Sequence, residues 1–265
     1  MRLAAVIFML SALPACAQES GLVSLQTGDD SRGWNAVGRI DLGQHGFCTG
    51  ALIAPQLVLT AAHCLFDKTS GARIPPEDIR FLAGFRNGRA EAYRGVARAI
   101  AHPDYVYSGD ETLDRVGYDL AVIELDQPIR QSSITPFATA ERPPTGASVG
   151  VVSYAQERSE APSLQQVCHV MDEDAMVMVL SCDVDFGSSG APVFSISDGA
   201  ARIVSVVSAK ATVEGNKVAL GTQLDEPLAV LMAELAKEDR PVSLSAGAVQ
   251  VLSGGRAKGA KFIKP

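Results

Sequence analysis

The chain of 265 residues is short of positive charge: 23 Lys and Arg against 30 Asp and Glu leave a formal net charge of −7. That balance speaks against a nucleic-acid binder, which needs a basic face. Past the N-terminus there is no apolar run long enough to span a bilayer, so no stable membrane span is expected. Helical periodicity is nearly absent before Asp225, which argues against alternating α/β units. No Cys and His lie at the close spacing of a zinc site, and the acidic stretch Asp110–Asp114 lacks a calcium-ligand pattern. Neither a metal nor an organic cofactor is therefore expected. With 47% hydrophobic and 20% charged residues, the chain is also not a disordered one.

The N-terminus carries a secretory signal. Arg2 supplies the positive region, 3–13 the apolar stretch, and Ala15-Cys16-Ala17 an Ala-x-Ala site before Gln18. Residues 1–17 are thus read as a removable signal, and the mature protein as secreted or periplasmic after cleavage near Ala17. Leu13-Pro14-Ala15-Cys16 also resembles a lipoprotein box, which would anchor the chain at Cys16, although Pro14 stands where a small residue is usual. Five Cys is an odd number for an exported protein, and loss of Cys16 leaves Cys48, Cys64, Cys168 and Cys182. Four allow three connectivities. The sequence-local pairings Cys48–Cys64 and Cys168–Cys182 are favoured because each flanks a hairpin or turn, and each would contribute about 3 kcal/mol.

Short runs rich in Val, Ile and Leu recur between Gly, Pro, Asn and Asp, at 36–42, 50–53, 57–60, 79–83, 94–100, 120–125, 148–152, 176–181, 191–196 and 202–207. Many short strands with turn punctuation read as a barrel or sandwich. Over 225–236, Leu228, Val230, Leu231 and Leu235 fall near helical spacing, with Asp225 as N-cap. The fold class is therefore all-β with one closing helix. Residues 68–77, polar with two consecutive prolines, read as an exposed loop. One domain is placed at 18–238; 239–265, with Arg256, Lys258, Lys261 and Lys264, reads as a solvated tail.

The chemistry lies in three segments. Phe186-Gly187-Ser188-Ser189-Gly190-Ala191-Pro192 places a serine in a glycine turn. A serine hydroxyl needs a base to take its proton, and the oxyanion it creates needs free donors, here the N–H groups of Gly187 and Ser189. Leu59-Thr60-Ala61-Ala62-His63-Cys64 puts a His at a strand end, and Gly117-Tyr118-Asp119-Leu120 an Asp at a strand start. Each segment alone is commonplace; the order His, Asp, Ser makes His63, Asp119 and Ser189 candidate catalytic residues.

With the segments Trp34-Asn35-Ala36-Val37-Gly38, Phe47-Cys48-Thr49-Gly50-Ala51-Leu52-Ile53 and His102-Pro103-Asp104-Tyr105, the sequence resembles the trypsin/chymotrypsin-like serine peptidase family, especially its exported bacterial branch, over roughly residues 33–238. The resemblance implies two packed six-stranded antiparallel β-barrels, His63 and Asp119 from the first and Ser189 from the second. It implies a Cys48–Cys64 disulfide beside His63, a structural His102, and Ser208 flanking Asp119 in the substrate cleft. It also implies a protein or peptide substrate and cleavage through an acyl-enzyme; a monomer is expected. Two departures stand out. Ser188 replaces the Asp that in animal trypsins pairs with a newly cut N-terminus, so the oxyanion hole is expected to form without that ion pair, despite the Arg32-Gly33 bond. Asp183 lies where basic-specific trypsins carry their pocket carboxylate, yet it directly follows Cys182; Asp185 could take the pocket instead, and Lys210 could favour acidic residues. The alternative function is a catalytically silent homologue that binds proteins through the same cleft; an esterase is a third.

Overall fold

The computed structural model describes residues 21–107, 113–173, 176–213 and 215–238. The signal 1–17 with Cys16, the tail 239–265 and positions 110–112 of the acidic stretch lie outside the described residues. A short strand β1 (Leu22–Ser24) comes first. Strands β2 (Val37–Asp41), β3 (Phe47–Ala54), β4 (Leu57–Thr60), β5 (Arg80–Ala83), β6 (Ala92–Ala101) and β7 (Ala121–Leu125) then close an antiparallel barrel in the order β2-β3-β4-β7-β6-β5. A one-turn helix α1 (Leu113–Gly117) leads into β7. Strands β8 (Ser148–Ala155), β9 (Arg158–Glu173), β10 (Val177–Leu180), β11 (Pro192–Ser197), β12 (Ala200–Val213) and β13 (Asn216–Gln223) form the second barrel, closed by pairing of β8 with both β9 and β11. Helix α2 (Asp225–Glu238) ends the described chain. No helix among the described residues is long and apolar enough to cross a membrane. All ten sequence-read strands and the closing helix are present, together with β1, α1, β9 and β13.

Alternation along each strand fills the barrels. Ile40, Leu52, Val58, Phe81 and Ile123 are fully enclosed in the first, and Val151, Val170, Met178, Val193 and Val204 in the second. Each such side chain contributes about 1.5–3 kcal/mol through removal from water. The two barrels meet over aromatic rings: Trp34, before β2, and Phe137, between the barrels, both pack on Phe194 of β11, with centroids 5.1 and 4.7 Å away. Two segments cross over. β1 pairs with β9 of the second barrel, while α2 packs its Leu231 and Leu235 face back toward β6 and β7 of the first. Residues 68–77 form a mostly exposed loop pinned by the buried Ile74.

Candidate active site

β4 ends at Thr60, and the chain tightens into a 3-10 turn, Ala62–Leu65, that carries His63. The next residue, Cys64, is tied to Cys48 on β3, with Cα atoms 6.2 Å apart. Asp119 sits just ahead of β7, its own N–H donating to Val116 and its carbonyl accepting from the Thr222 hydroxyl. Its carboxylate is buried, and it grips His63 twice. Oδ2 lies 2.6 Å from the ring Nδ1, and Oδ1 accepts the His63 backbone N–H at 2.8 Å. The Ser208 hydroxyl on β12 donates to the same Oδ2. A carboxylate held by three donors is fixed in place and sets which ring nitrogen of His63 faces it. The other nitrogen, Nε2, is left for a proton on a neighbouring group.

Ser189 comes from the second barrel, at the end of the loop that precedes β11, and lines the same cleft of about 480 Å³ as His63, Asp119 and Ser208. Its hydroxyl makes no hydrogen bond to His63 among the described residues. Thr49 of β3 anchors this loop across the barrel junction. Its N–H donates to the Ser189 carbonyl at 2.8 Å and its hydroxyl to the Gly187 carbonyl at 2.8 Å. Two glycines make the approach possible. Gly187 has φ +96°, and a Cβ there would stand 2.4 Å from the Phe47 ring; Gly190 has φ +79°, and a Cβ there would stand 2.3 Å from the Thr49 carbonyl. No other residue tolerates both that backbone conformation and that crowding.

The N–H groups of Gly187 and Ser189 have no intramolecular partner among the described residues, and their directions follow from the carbonyls of the same peptide units. Phe186 O accepts from Gln156 N–H at 2.7 Å, and Ser188 O accepts from Ala191 N–H at 2.9 Å. In a planar trans peptide the N–H points opposite the C=O. Each carbonyl is engaged by another N–H, so each of the two N–H groups points away from that contact, as an oxyanion site requires.

The remaining sequence candidates separate. Asp183 is exposed and is not among the residues that line the cleft; its N–H donates to Gln165 Oε1 at 2.7 Å. Asp185 does line the cleft, but its carboxylate is occupied by Lys210 Nζ at 2.8 Å and by the Phe186 N–H, which hold it below the usual carboxylate range. Lys210 Nζ also lies 4.0 Å from the centre of the Phe186 ring and Lys68 Nζ 5.8 Å from it, and Arg115 lines the same cleft. Cys168 and Cys182 form the second disulfide. Among the described residues, the grouped Cys48, His63 and Cys64 have both sulfurs consumed by a disulfide and offer no thiolate to a metal. Thr49, Gln156, Lys68 and Arg115 were not singled out by the sequence. Only Thr49 stood in a quoted motif; Gln156 acts through its backbone N–H, and Lys68 and Arg115 reach the cleft with long side chains from a loop and from α1.

Residues 48–202 match the family model for the trypsin-like peptidase domain, more than half of the chain. The chain belongs to the trypsin-like peptidase family. Among its relatives is a glutamyl endopeptidase of Bacillus licheniformis, 26% identical over 153 residues, which are 57% of this chain and 46% of that protein. Another is coagulation factor IX of Oryctolagus cuniculus, 33% identical over 101 residues, 36% of this chain and 32% of the relative. The match thus spans less than half the length of either relative. A solved structure of a Glu endopeptidase in complex with MPD superposes with a TM-score of 0.67 at 19% identity, covering 84% of this chain and all of that one. That likeness carries the fold: two packed antiparallel barrels of the chymotrypsin-like, trypsin-like type with a C-terminal helix.

Proposed function

We propose that this trypsin-like chain is a serine endopeptidase that cleaves peptide bonds through an acyl-enzyme, with Ser189 as nucleophile, His63 as general base and Asp119 as its orienting carboxylate. The reading rests on one observation above all: the Asp119 carboxylate binds both ring and backbone of His63, on a cleft that Ser189 shares. In this scheme His63 accepts the Ser189 proton and returns it to the leaving amine, while Asp119 orients the ring and stabilises the imidazolium. The N–H groups of Gly187 and Ser189 receive the oxyanion. Export after signal removal is supported by the sequence of 1–17 and by two disulfides, which persist in oxidising compartments. Substrate choice follows from the cleft walls. Among the described residues that line the cleft, Lys210 and Asp185 pair with each other, which leaves Lys68 as a cation with no carboxylate partner, so acidic side chains near the scissile bond are favoured over basic ones. The glutamyl endopeptidase relative points the same way.

The test uses a fluorophosphonate probe on the purified protein and on Ser189→Ala. Labelling of the wild type alone supports the reading; labelling of neither favours a silent homologue that binds through the cleft. Paired peptides carrying Glu, Ala or Arg before the scissile bond then read the selectivity. Preferred cleavage after Arg would overturn the acidic assignment.

A further inference from the structure

Arg158 opens β9 immediately after the turn that joins it to β8, and its guanidinium points back under the nucleophile's loop instead of into water. One arm donates to Ser153 O at 2.7 Å and to Ser153 Oγ at 3.1 Å, and the other reaches Ser188 Oγ at 3.4 Å. Ser188 is fully buried beside Ser189. Its hydroxyl also accepts the Asp185 N–H at 3.3 Å and lies 3.3 Å from Tyr154 O and 3.2 Å from Ser153 Oγ. With two donors pointing at it, the hydroxyl keeps its single proton for Tyr154 or Ser153, so its bonding capacity is filled. The same hairpin supplies Gln156 N–H to Phe186 O. The tip of the β8–β9 hairpin thus holds both the peptide unit that aims Gly187 N–H and the side chain that anchors Ser188.

We infer that Arg158 is a positioning residue for the oxyanion hole, an internal cation that holds the 185–190 loop in working form without any newly cut N-terminus. The inference rests on the peptidase reading above. Two further observations support it. Burial lowers the affinity of Arg158 for its proton, and the carboxylates of Asp183 and Asp185 oppose that loss. An arginine stays charged in such a setting. Second, the segment ahead of Gly33 is part of the second barrel: Leu22–Ser24 pair with β9, and Leu25 is buried with its N–H on Pro162 O. Arg32 is exposed and paired with Asp29, and cleavage after it would break the covalent link between the β9-paired strand β1 and the first barrel.

The experiment compares wild type, Arg158→Met, Arg158→Lys and Arg32→Gln on a peptide substrate, with binding of a peptide aldehyde and of the corresponding product peptide measured alongside. The aldehyde forms a tetrahedral adduct that needs the oxyanion hole; the product peptide does not. Arg158→Met is expected to lose kcat by about 10–100-fold with KM little changed, since one misplaced donor costs about 10²–10³-fold when removed outright. Aldehyde affinity falls in parallel while product-peptide affinity stays. Arg158→Lys, which keeps the charge but cannot span both serines, loses less, and Arg32→Gln keeps full activity. A folded Arg158→Met with wild-type kcat and aldehyde affinity overturns the inference, as does an inactive Arg32→Gln. If Arg158→Met does not fold, the Arg158→Lys ratio of aldehyde to product affinity decides, an unchanged ratio being the overturning result. An inert wild type would instead sink the peptidase reading itself.

Discussion

Asp119 binds His63 at both ends of the residue, ring at 2.6 Å and backbone at 2.8 Å, while Ser208 donates to the same carboxylate. Three donors converge on two oxygens, and an amide in that place can accept at only one of them. Asp119→Asn is therefore expected to turn the imidazole or face it with a second donor. The chain should fold, bind substrate with near-normal KM and lose kcat by about 10⁴-fold. Steady-state kinetics with a circular-dichroism control checks this; a loss below about tenfold would remove Asp119 from the mechanism.

Gly190→Ala should be far more harmful than the same change at Gly199. Both glycines have positive φ, +79° and +74°, but a Cβ at Gly190 would lie 2.1 Å from Thr60 Oγ1 and 2.3 Å from Thr49 O, whereas Gly199 faces open space. Backbone strain alone costs about 1–2 kcal/mol, and forced overlap in a packed site adds about 1–3 kcal/mol. Thermal melting of the two variants should separate these contributions. Equal shifts would contradict the crowding assigned to Gly190.

His102 is buried against Tyr118, ring centres 5.1 Å apart, and its Nδ1 accepts the Asp104 N–H at 3.2 Å. Burial lowers its pKa below the ordinary 6.5 despite the attraction of Asp104 and Glu226. With the folded value lower than the unfolded one, the unfolded chain takes up the proton first as pH falls. The contribution of His102 is complete above about pH 6.5 and is lost progressively as pH drops toward the folded pKa. His102→Asn retains an acceptor for Asp104 but cannot titrate. Its Tm should be lower at neutral pH and fall less than that of the wild type between pH 7 and 5; parallel curves would rule out a titrating His102.

Cys168 on β9 is bonded to Cys182, one residue before the loop that leads to Ser189, across a separation of 14 residues. Replacing both with Ser should cost about 3 kcal/mol. For a chain of this size the Tm would fall by roughly 6–12 °C. Turnover should suffer more than affinity if the bridge also steadies the 183–190 loop, which parallel kcat and KM measurements would resolve.

β7 was recovered because Ala121, Val122, Ile123 and Leu125 form an apolar run, all of it enclosed. β9 escaped because its inward positions include Ser163 and Gln165, buried polar groups that break the alternation. β13 escaped for the same reason: Thr222 and Gln223 are enclosed and hydrogen-bonded, Thr222 through its hydroxyl to Val116 O at 2.6 Å. At the candidate site, His63, Asp119, Ser189 and Gly187 were legible from their motifs, and Ser208 only from the family resemblance. Thr49, Gln156 and Arg158 were not, because they act through pairings between segments up to 140 positions apart (Thr49 reaches Gly187 across 138) that only the closed barrels bring together. Asp183 misled for the converse reason. Its alignment suggested a pocket floor, and the Gln165 contact to its N–H holds it outside the cleft.

The reciprocal crossing of β1 and α2 makes the two barrels mutual hostages. A first half-chain ending between β7 and β8 would carry β1 with no β9 to pair with, and the second half would carry α2 with no first barrel to cover. Each fragment therefore holds a piece that only the other can satisfy, so separately produced halves should recognise one another instead of behaving as two small proteins. The same interlock sets a limit on breathing at the junction. His63 and Asp119 belong to one barrel and Ser189 to the other, and two belts running in opposite directions keep them in register across the cleft.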